Sequence, residues 1–259
     1  MSSPDTLQLE YASTRTWHGL VVGRAGLDLY PQPAGCKTRN ATSFASDVGG
    51  SGANIAIAMS RAGGQVGLIS ALSDDPVGQF VRQRLQAEGI DLQLTATTQD
   101  QERTSLALAE VRPQDCEVVI YRNNPADLQA SCTPAVKLAI AQSSNLIVTG
   151  TNLMPPHARQ HSLAMMTHAR AVGCLVWLDL DYRAWNWPDL DTTRSVYGAA
   201  AELAHVLVGN EAEFNILHDR IETQITYSTN RHQVMVLKRG ANGCSLFAGS
   251  ARLDSGIYR

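Results

Sequence analysis

The chain has 259 residues, 44% of them hydrophobic and 17% charged, which is enough for one large α/β domain or one domain with a small appendage. Its net charge of −3 argues against nucleic acid as the main partner, because phosphate binding wants a basic surface. No apolar run is long enough to span a bilayer, and residues 1–10 lack the apolar segment of a signal peptide. The five cysteines (Cys36, Cys116, Cys132, Cys174, Cys244) form no C-x-x-C pair, which reads as free thiols in a reducing cytoplasm.

Residues 1–15 are polar and expected to fray. Residues 17–23 (WHGLVVG) form a short apolar run ending in Gly, the pattern of a buried parallel strand. Asp28 then falls just past the C-terminal end of that strand, where ligands bind in open α/β sheets; it reads equally as a turn residue or a helix cap. Residues 31–47 are rich in Pro, Gly, Thr and Ser and suit short exposed strands or a loop. Residues 48–63 (VGGSGANIAIAMSRAG) organise the rest: a Gly-rich turn running into an apolar helix. Gly49 and Gly50 allow φ > 0 and let a ligand approach bare backbone. Asn54 sits in the first helical turn, where free N–H groups favour polar or anionic ligand groups. Ile55, Met59 and Ala62 recur at helical spacing and are expected to face the core. By itself the glycine pair reads also as a tight turn feeding a buried helix.

A second strand is expected over 65–72. Ser73-Asp74-Asp75-Pro76 then starts an amphipathic helix over 77–88, with Asp as cap and Pro in the first turn. Residues 104–111 and 117–122 read as a hairpin. It breaks the alternation of strand and helix, so it is placed with residues 24–47 outside the main sheet, as a small β lid. Alternation resumes with helices over 135–141, 155–172, 192–203 and 211–218. Between and after them come strands over 145–150, 174–180, 205–209, 233–238 and 243–247. The expected architecture is α/β: a doubly wound, mostly parallel sheet over 16–259, with lid segments at about 24–47 and 104–123.

Several familiar signals are absent: no G-x-x-x-x-G-K-[ST] loop, no G-x-S-x-G elbow, no H-E-x-x-H. His157, His161 and His168 share one expected helix with Arg159 and Arg170, which reads as a solvated face rather than a metal site. Polar groups do gather at strand ends: Asp28; Asp179, Asp181 and Arg183; Asn210, Glu211 and Glu213; Lys238 and Arg239 before Gly240. Each alone is more often a cap or turn residue. Their common edge supplies carboxylates for Mg²⁺ and cations and glycine N–H groups for phosphates, a combination suited to phosphoryl transfer.

The segments GRAGLD (23–28), VGGSGANIAIAMSRAG (48–63), LSDDPVGQFVRQRLQAEGID (72–91), VGNEAEF (208–214) and VLKRGANGC (236–244) together resemble the ribokinase-like, or PfkB, carbohydrate kinases. GRAGLDLY (23–30), TSLAL (104–108), YRNNPADL (121–128) and LDLDYRAW (178–185) carry a closer resemblance to those members that act on 5-dehydro-2-deoxygluconate in inositol breakdown. The resemblance implies an ATP- and Mg²⁺-dependent cytoplasmic kinase for a sugar or sugar acid, with a homodimer formed through the β lid. Asp28, Gly49, Gly50 and Asn54 would hold sugar hydroxyls. Arg122 would face the substrate, where its planar fork suits a carboxylate, though it reads equally as a surface strand arginine. Arg183 would serve the substrate or the nucleotide phosphates. Asn210 and Glu213 match an N-x-x-E element that organises Mg²⁺ and phosphate, with Glu213 as the metal residue, and Lys238 and Gly240 would lie near the ATP phosphates. The family's general base is the Asp of a G-A-G-D loop, and no G-A-G-D occurs in these residues, so no catalytic residue is assigned. The expectation is a piece of a longer chain, with a shortened sugar-binding pseudokinase second; 2-keto-3-deoxygluconate and fructose are the alternative substrates.

Overall fold

A computed structural model describes residues 15–99, 101–112 and 114–257. The expected frayed start therefore falls outside the described residues except for Arg15. The first apolar run is β1 (Gly19–Val22), buried along its whole length. The chain then leaves the main sheet for β2 (Gly26–Gln32) and β3 (Ser43–Gly49), an antiparallel pair, and returns through α1 (Ser51–Arg61) to β4 (Val66–Ser73), parallel to β1. Next comes α2 (Pro76–Ala87), begun as its sequence dictates: the Asp75 carboxylate accepts the N–H groups of Val77 and Gly78, and Pro76 occupies the first turn. A short β5 (Thr95–Thr98) extends the sheet at β4. The hairpin follows as β6 (Ser105–Val111) and β7 (Cys116–Tyr121), with β6 parallel to β2.

Strand and helix then alternate through α3 (Pro134–Ala141), β8 (Asn145–Thr149), α4 (Pro156–Ala171), β9 (Leu175–Asp179), α5 (Leu190–Leu203) and β10 (Val206–Asn210). The one-turn α6 (Glu211–Phe214) and α7 (Ile221–Asn230) lead to β11 (Val234–Lys238), β12 (Cys244–Ala248) and β13 (Ala251–Ser255). The main sheet runs β13-β12-β11-β10-β9-β8-β1-β4-β5, parallel from β11 to β5, and a separate sheet runs β3-β2-β6-β7. Along β1, Leu20 and Val22 point into a core beneath α3, α4 and α5, while Val21 points into the core beneath α1 and α2. Strand order reverses between β1 and β8, and that reversal opens a crevice at the carboxyl ends of the strands.

Two local expectations hold only in part, for physical reasons. Ile55 and Met59 do pack, half-buried, against the core beneath α1 and α2, but the fully buried face of α1 is Gly52, Ala53 and Ala56, and Ala62 is exposed. The helix lies so close to β1 that a Cβ on Gly52 would sit 2.6 Å from the carbonyl carbon of Gly23, so only small residues fit beneath it. Ile55 and Met59 also line an apolar groove with Ile147, Trp177 and Val208. The helix expected over 211–218 stops after one turn, and α7 and β13 carried no clear signal. The core-facing residues of α7 include Gln224 and Ser228, hydrogen-bonded to each other at 2.9 Å, which hides the apolar period. Every residue of β13 is exposed, so it shows no apolar alternation.

Candidate active site

A cavity of about 530 Å³ opens at the strand-order reversal, between the end of β1, the start of α1 and the four-stranded sheet. The register of that sheet sets Asp28, Ala107 and Ile120 side by side on one face, and both Asp28 and Ile120 line the cavity. Asp28 is thus a strand residue of β2, not a turn or cap residue. Burial pushes its carboxyl above the ordinary carboxylate range, with Arg24 pulling the other way. The Tyr30 hydroxyl donates to Asp28 Oδ2 at 3.5 Å, while Oδ1 is buried without a hydrogen-bond partner.

The two glycines serve by different means. Gly50 has φ 104°, and a Cβ there would sit 2.4 Å from the carbonyl oxygen of Arg24. Gly49 is not in the left-handed region; its requirement is closeness, since a Cβ would lie 1.9 Å from Asp28 Oδ1. The expected free N–H groups at the start of α1 are in part spent: Ala53 N–H bonds to Arg24 O and Asn54 N–H to Gly50 O. Asn54 still reaches the cavity with an exposed side chain.

Arg122 follows β7 and is no surface strand arginine. It ion-pairs with Asp127, which is 1% exposed, and its Nε is buried without a partner. Across the cavity, β9 ends and the chain turns through Asp181 at φ 37°, a costly conformation for a non-glycine residue that swings Asp181 and Arg183 inward. From there a ladder of ion pairs runs to a second pocket. Arg183 meets Asp181 at 2.8 Å and Glu213 at 3.6 Å, Glu213 meets Lys238 at 3.5 Å, and the Lys238 ammonium donates to Asp179 at 3.0 Å. Burial raises the carboxyl of Asp179. For Lys238, burial pulls its pKa down, and Asp179 and Glu213 more than offset this, so the ammonium is held above its ordinary range. The second pocket, about 450 Å³, is lined by Asn210, Glu211, Lys238, Arg239 and Gly240 among others.

Asn210 and Glu213 form a reciprocal capping box on α6: Asn210 Oδ1 accepts the Glu213 N–H at 2.9 Å and Glu213 Oε2 accepts the Asn210 N–H at 2.8 Å. Both Glu213 oxygens therefore face protein donors. Among the described residues no cluster of three or more His, Cys, Asp or Glu side chains could hold a metal ion. Two of the three helix histidines touch backbone groups: His161 Nδ1 accepts the Cys132 N–H, and His168 Nε2 lies 3.0 Å from the Lys137 carbonyl; His157 is exposed. Asp28, Gly50, Asn54, Arg122 and Arg183 thus share the first cavity, with Gly49 directly behind Asp28; Asn210, Lys238 and Gly240 share the second, and Glu213 links the two. Arg24 and Asp127 carried no assigned role in the sequence reading. Both lie in segments quoted for the resemblance, GRAGLD and YRNNPADL, and only the pairing of strands remote in sequence brings them together.

The chain belongs to the pfkB family of carbohydrate kinases, whose family model matches residues 19–254; it is an enzyme that transfers a phosphoryl group to an alcohol. Among curated proteins it is similar to the 5-dehydro-2-deoxygluconokinase of Photobacterium profundum, at 37% identity over 95% of this chain and 77% of that one. It is also similar to the enzyme of that name from Geobacillus thermodenitrificans, at 33% identity over 86% of this chain and 69% of that one. Among solved structures it shares its fold with a PfkB protein from Polaromonas sp. JS666, with a TM-score of 0.82 at 20% identity over 94% of this chain and 83% of that one. A fructokinase from Xylella fastidiosa with bound ATP gives a TM-score of 0.79 at 22% identity over 93% of this chain and 74% of that one.

Proposed function

We propose that the chain phosphorylates 5-dehydro-2-deoxy-D-gluconate on its terminal hydroxyl, with ATP as donor and Mg²⁺ as cation, in the cytoplasm. The observation that carries this reading is one cavity holding a buried carboxylate oxygen of Asp28 and a buried Nε of Arg122, both without partners. An unsatisfied acceptor and an unsatisfied cationic donor in the wall of one cavity suit a ligand bearing hydroxyls and a carboxylate. Relatives 37% and 33% identical are named for this reaction.

In this reading residues 16–259 act as one unit, with the four-stranded sheet as a lid. Asp28 accepts from the sugar hydroxyls, Gly49 lets the Asp28 carboxylate lie against bare backbone, Gly50 borders the sugar, and Asn54 adds a polar contact. Arg122 contributes its open donor to the carboxylate. Lys238, Gly240 and Asn210 border the nucleotide phosphates, and Arg183 faces the space between sugar and phosphate. When bound, Mg²⁺–ATP supplies the phosphoryl group and neutralises its charge. The donor set suits a cation held mainly by phosphates and water, with Glu213 reaching its waters, because Glu213 Oε2 already accepts the Asn210 N–H and both its oxygens are ion-paired. The ladder from Asp181 to Asp179 keeps Arg183 and Lys238 fixed before phosphate arrives, so little reorganisation remains at transfer. Proton removal from the hydroxyl is assigned to none of the described residues.

The outer face of the lid carries Phe44, Val119 and Tyr121, which are 43%, 49% and 58% exposed. We assign it to contact with a second copy of the chain. The protein purified from its native source, given ATP, Mg²⁺ and a panel of 5-dehydro-2-deoxy-D-gluconate, 2-keto-3-deoxygluconate and fructose, tests the substrate. The highest kcat/KM is expected for the first. Preference for fructose, or saturable binding without turnover, would overturn the reading.

A further inference from the structure

Three arginines line the first cavity, and two of them are already paired. Arg122 is held by Asp127, and Arg183 by Asp181 and Glu213. Arg24 is different. It is only 9% exposed, yet among the described residues it forms no ion pair, and its one side-chain hydrogen bond runs from Nη1 to the Ser105 hydroxyl at 3.0 Å. A buried guanidinium without a carboxylate beside it is costly and rare. Burial lowers its proton affinity, and the more distant Asp127 and Asp28 offset only part of that. Its backbone is fixed, since its carbonyl accepts the Ala53 N–H at the start of α1. The fork is thus anchored at one nitrogen and set in a sugar-sized cavity whose other lining includes Asp28 and Asn54.

We propose that Arg24, more than Arg122, is the residue that selects a carboxylate-bearing substrate, the ligand's carboxylate supplying the counter-ion that the protein omits. This rests on the sugar-acid reading of the cavity. Arg122 has given its charge to Asp127 and adds one donor from Nε; Arg24 brings an uncompensated charge in a planar fork that matches a carboxylate. The same chemistry makes the site poor for neutral sugars, because a neutral ligand leaves Arg24 buried and unpaired.

The test measures binding of two matched probes, 5-dehydro-2-deoxy-D-gluconate and its C1 carboxamide, to wild type and to Arg24→Gln, Arg24→Lys and Arg122→Gln by calorimetry. Wild type is expected to prefer the acid by about 10- to 150-fold, the range for hydrogen bonds to a charged group. Arg24→Gln should bring that preference close to one, Arg24→Lys should keep part of it, and Arg122→Gln most of it. Because Arg24→Gln removes a buried unpaired charge, its Tm without ligand should equal or exceed that of wild type, and the acid should no longer raise it. Undiminished preference in Arg24→Gln, or loss of preference in Arg122→Gln instead, would overturn the assignment while leaving the sugar-acid reading intact. A wild type that binds both probes equally would overturn the sugar-acid reading and the assignment together.

Discussion

The contact between Gly49 and Asp28 gives the most quantitative lever on the proposed sugar site. A methyl group at position 49 would lie 1.9 Å from Asp28 Oδ1, 2.0 Å from its Cγ and 2.1 Å from Oδ2, so the whole carboxylate is in the way. Ordinary van der Waals contact begins near 3.4 Å, so in Gly49→Ala the carboxylate must retreat by about 1.5 Å. The strands cannot easily yield instead: β2 is paired on both sides, with β3 and with β6. Misplacement of a ligand-holding group by about 1 Å costs on the order of 10²-fold, and overpacking costs roughly 1–3 kcal/mol of stability. Gly49→Ala should therefore fold with a lowered Tm and bind the sugar about 100-fold more weakly, while nucleotide binding at the second pocket stays as in wild type. Calorimetry with sugar and with a non-hydrolysable ATP analogue reads the two separately. A Gly49→Ala protein with wild-type sugar affinity would refute the claim that Asp28 is positioned by the bare backbone at 49.

The raised carboxyl of Asp28 makes a signed prediction. A folded-state value above the unfolded one favours folding only while the group is protonated, and that contribution is lost as pH rises through the raised value. Asp28→Asn should therefore raise Tm at pH 7, with the gain shrinking as pH falls toward the ordinary carboxylate range, and should weaken sugar binding at every pH. Lys238→Met leaves Asp179 without its cation and the 5%-exposed Glu213 with Arg183 alone; with Lys238 itself partly exposed, denaturant titration should show a loss of about 1–3 kcal/mol. Since the Lys238 value is raised, that loss should be full below its ordinary range near 10.5 and fade as pH climbs above it. Asn210→Ala removes the capping box of α6 and should cost about 1 kcal/mol, together with weaker nucleotide binding as Glu213 loses its fixed position. Val119→Asp combined with Tyr121→Glu should convert a dimer to a monomer in light scattering at unchanged Tm; an unchanged mass in the variant, or a monomeric wild type, would remove the lid contact.

Much of the architecture could be read from the chain because its strands are buried on both faces. GLVV in β1 and NLIVT in β8 are continuous apolar runs that only a covered parallel sheet uses, and Asp75-Pro76 marks the start of α2 by cap chemistry alone. Other features depend on closeness, which composition does not encode. The fully buried face of α1 goes to glycine and alanine because the end of β1 lies directly beneath, so the larger Ile55 and Met59 pack at the edge of the core. In the same way Gly49 reads as a flexible turn residue, while its real constraint is the carboxylate of a strand some twenty residues earlier in the chain. That the polar residues at strand ends gather in two neighbouring cavities was legible because the sheet brings such ends together. Arg24 and Asp127 were not: a buried arginine between a glycine and an alanine looks like any loop residue until β6 sets Ser105 beside it and Arg122 takes Asp127 for itself.

The central claim is that this carbohydrate kinase is built for a sugar acid. Its most direct measurement is the ratio of kcat/KM for 5-dehydro-2-deoxy-D-gluconate to that for fructose, taken on the natively purified protein with saturating ATP and Mg²⁺. The account predicts a ratio well above one that falls toward one in Arg24→Gln. A wild-type ratio at or below one would contradict it.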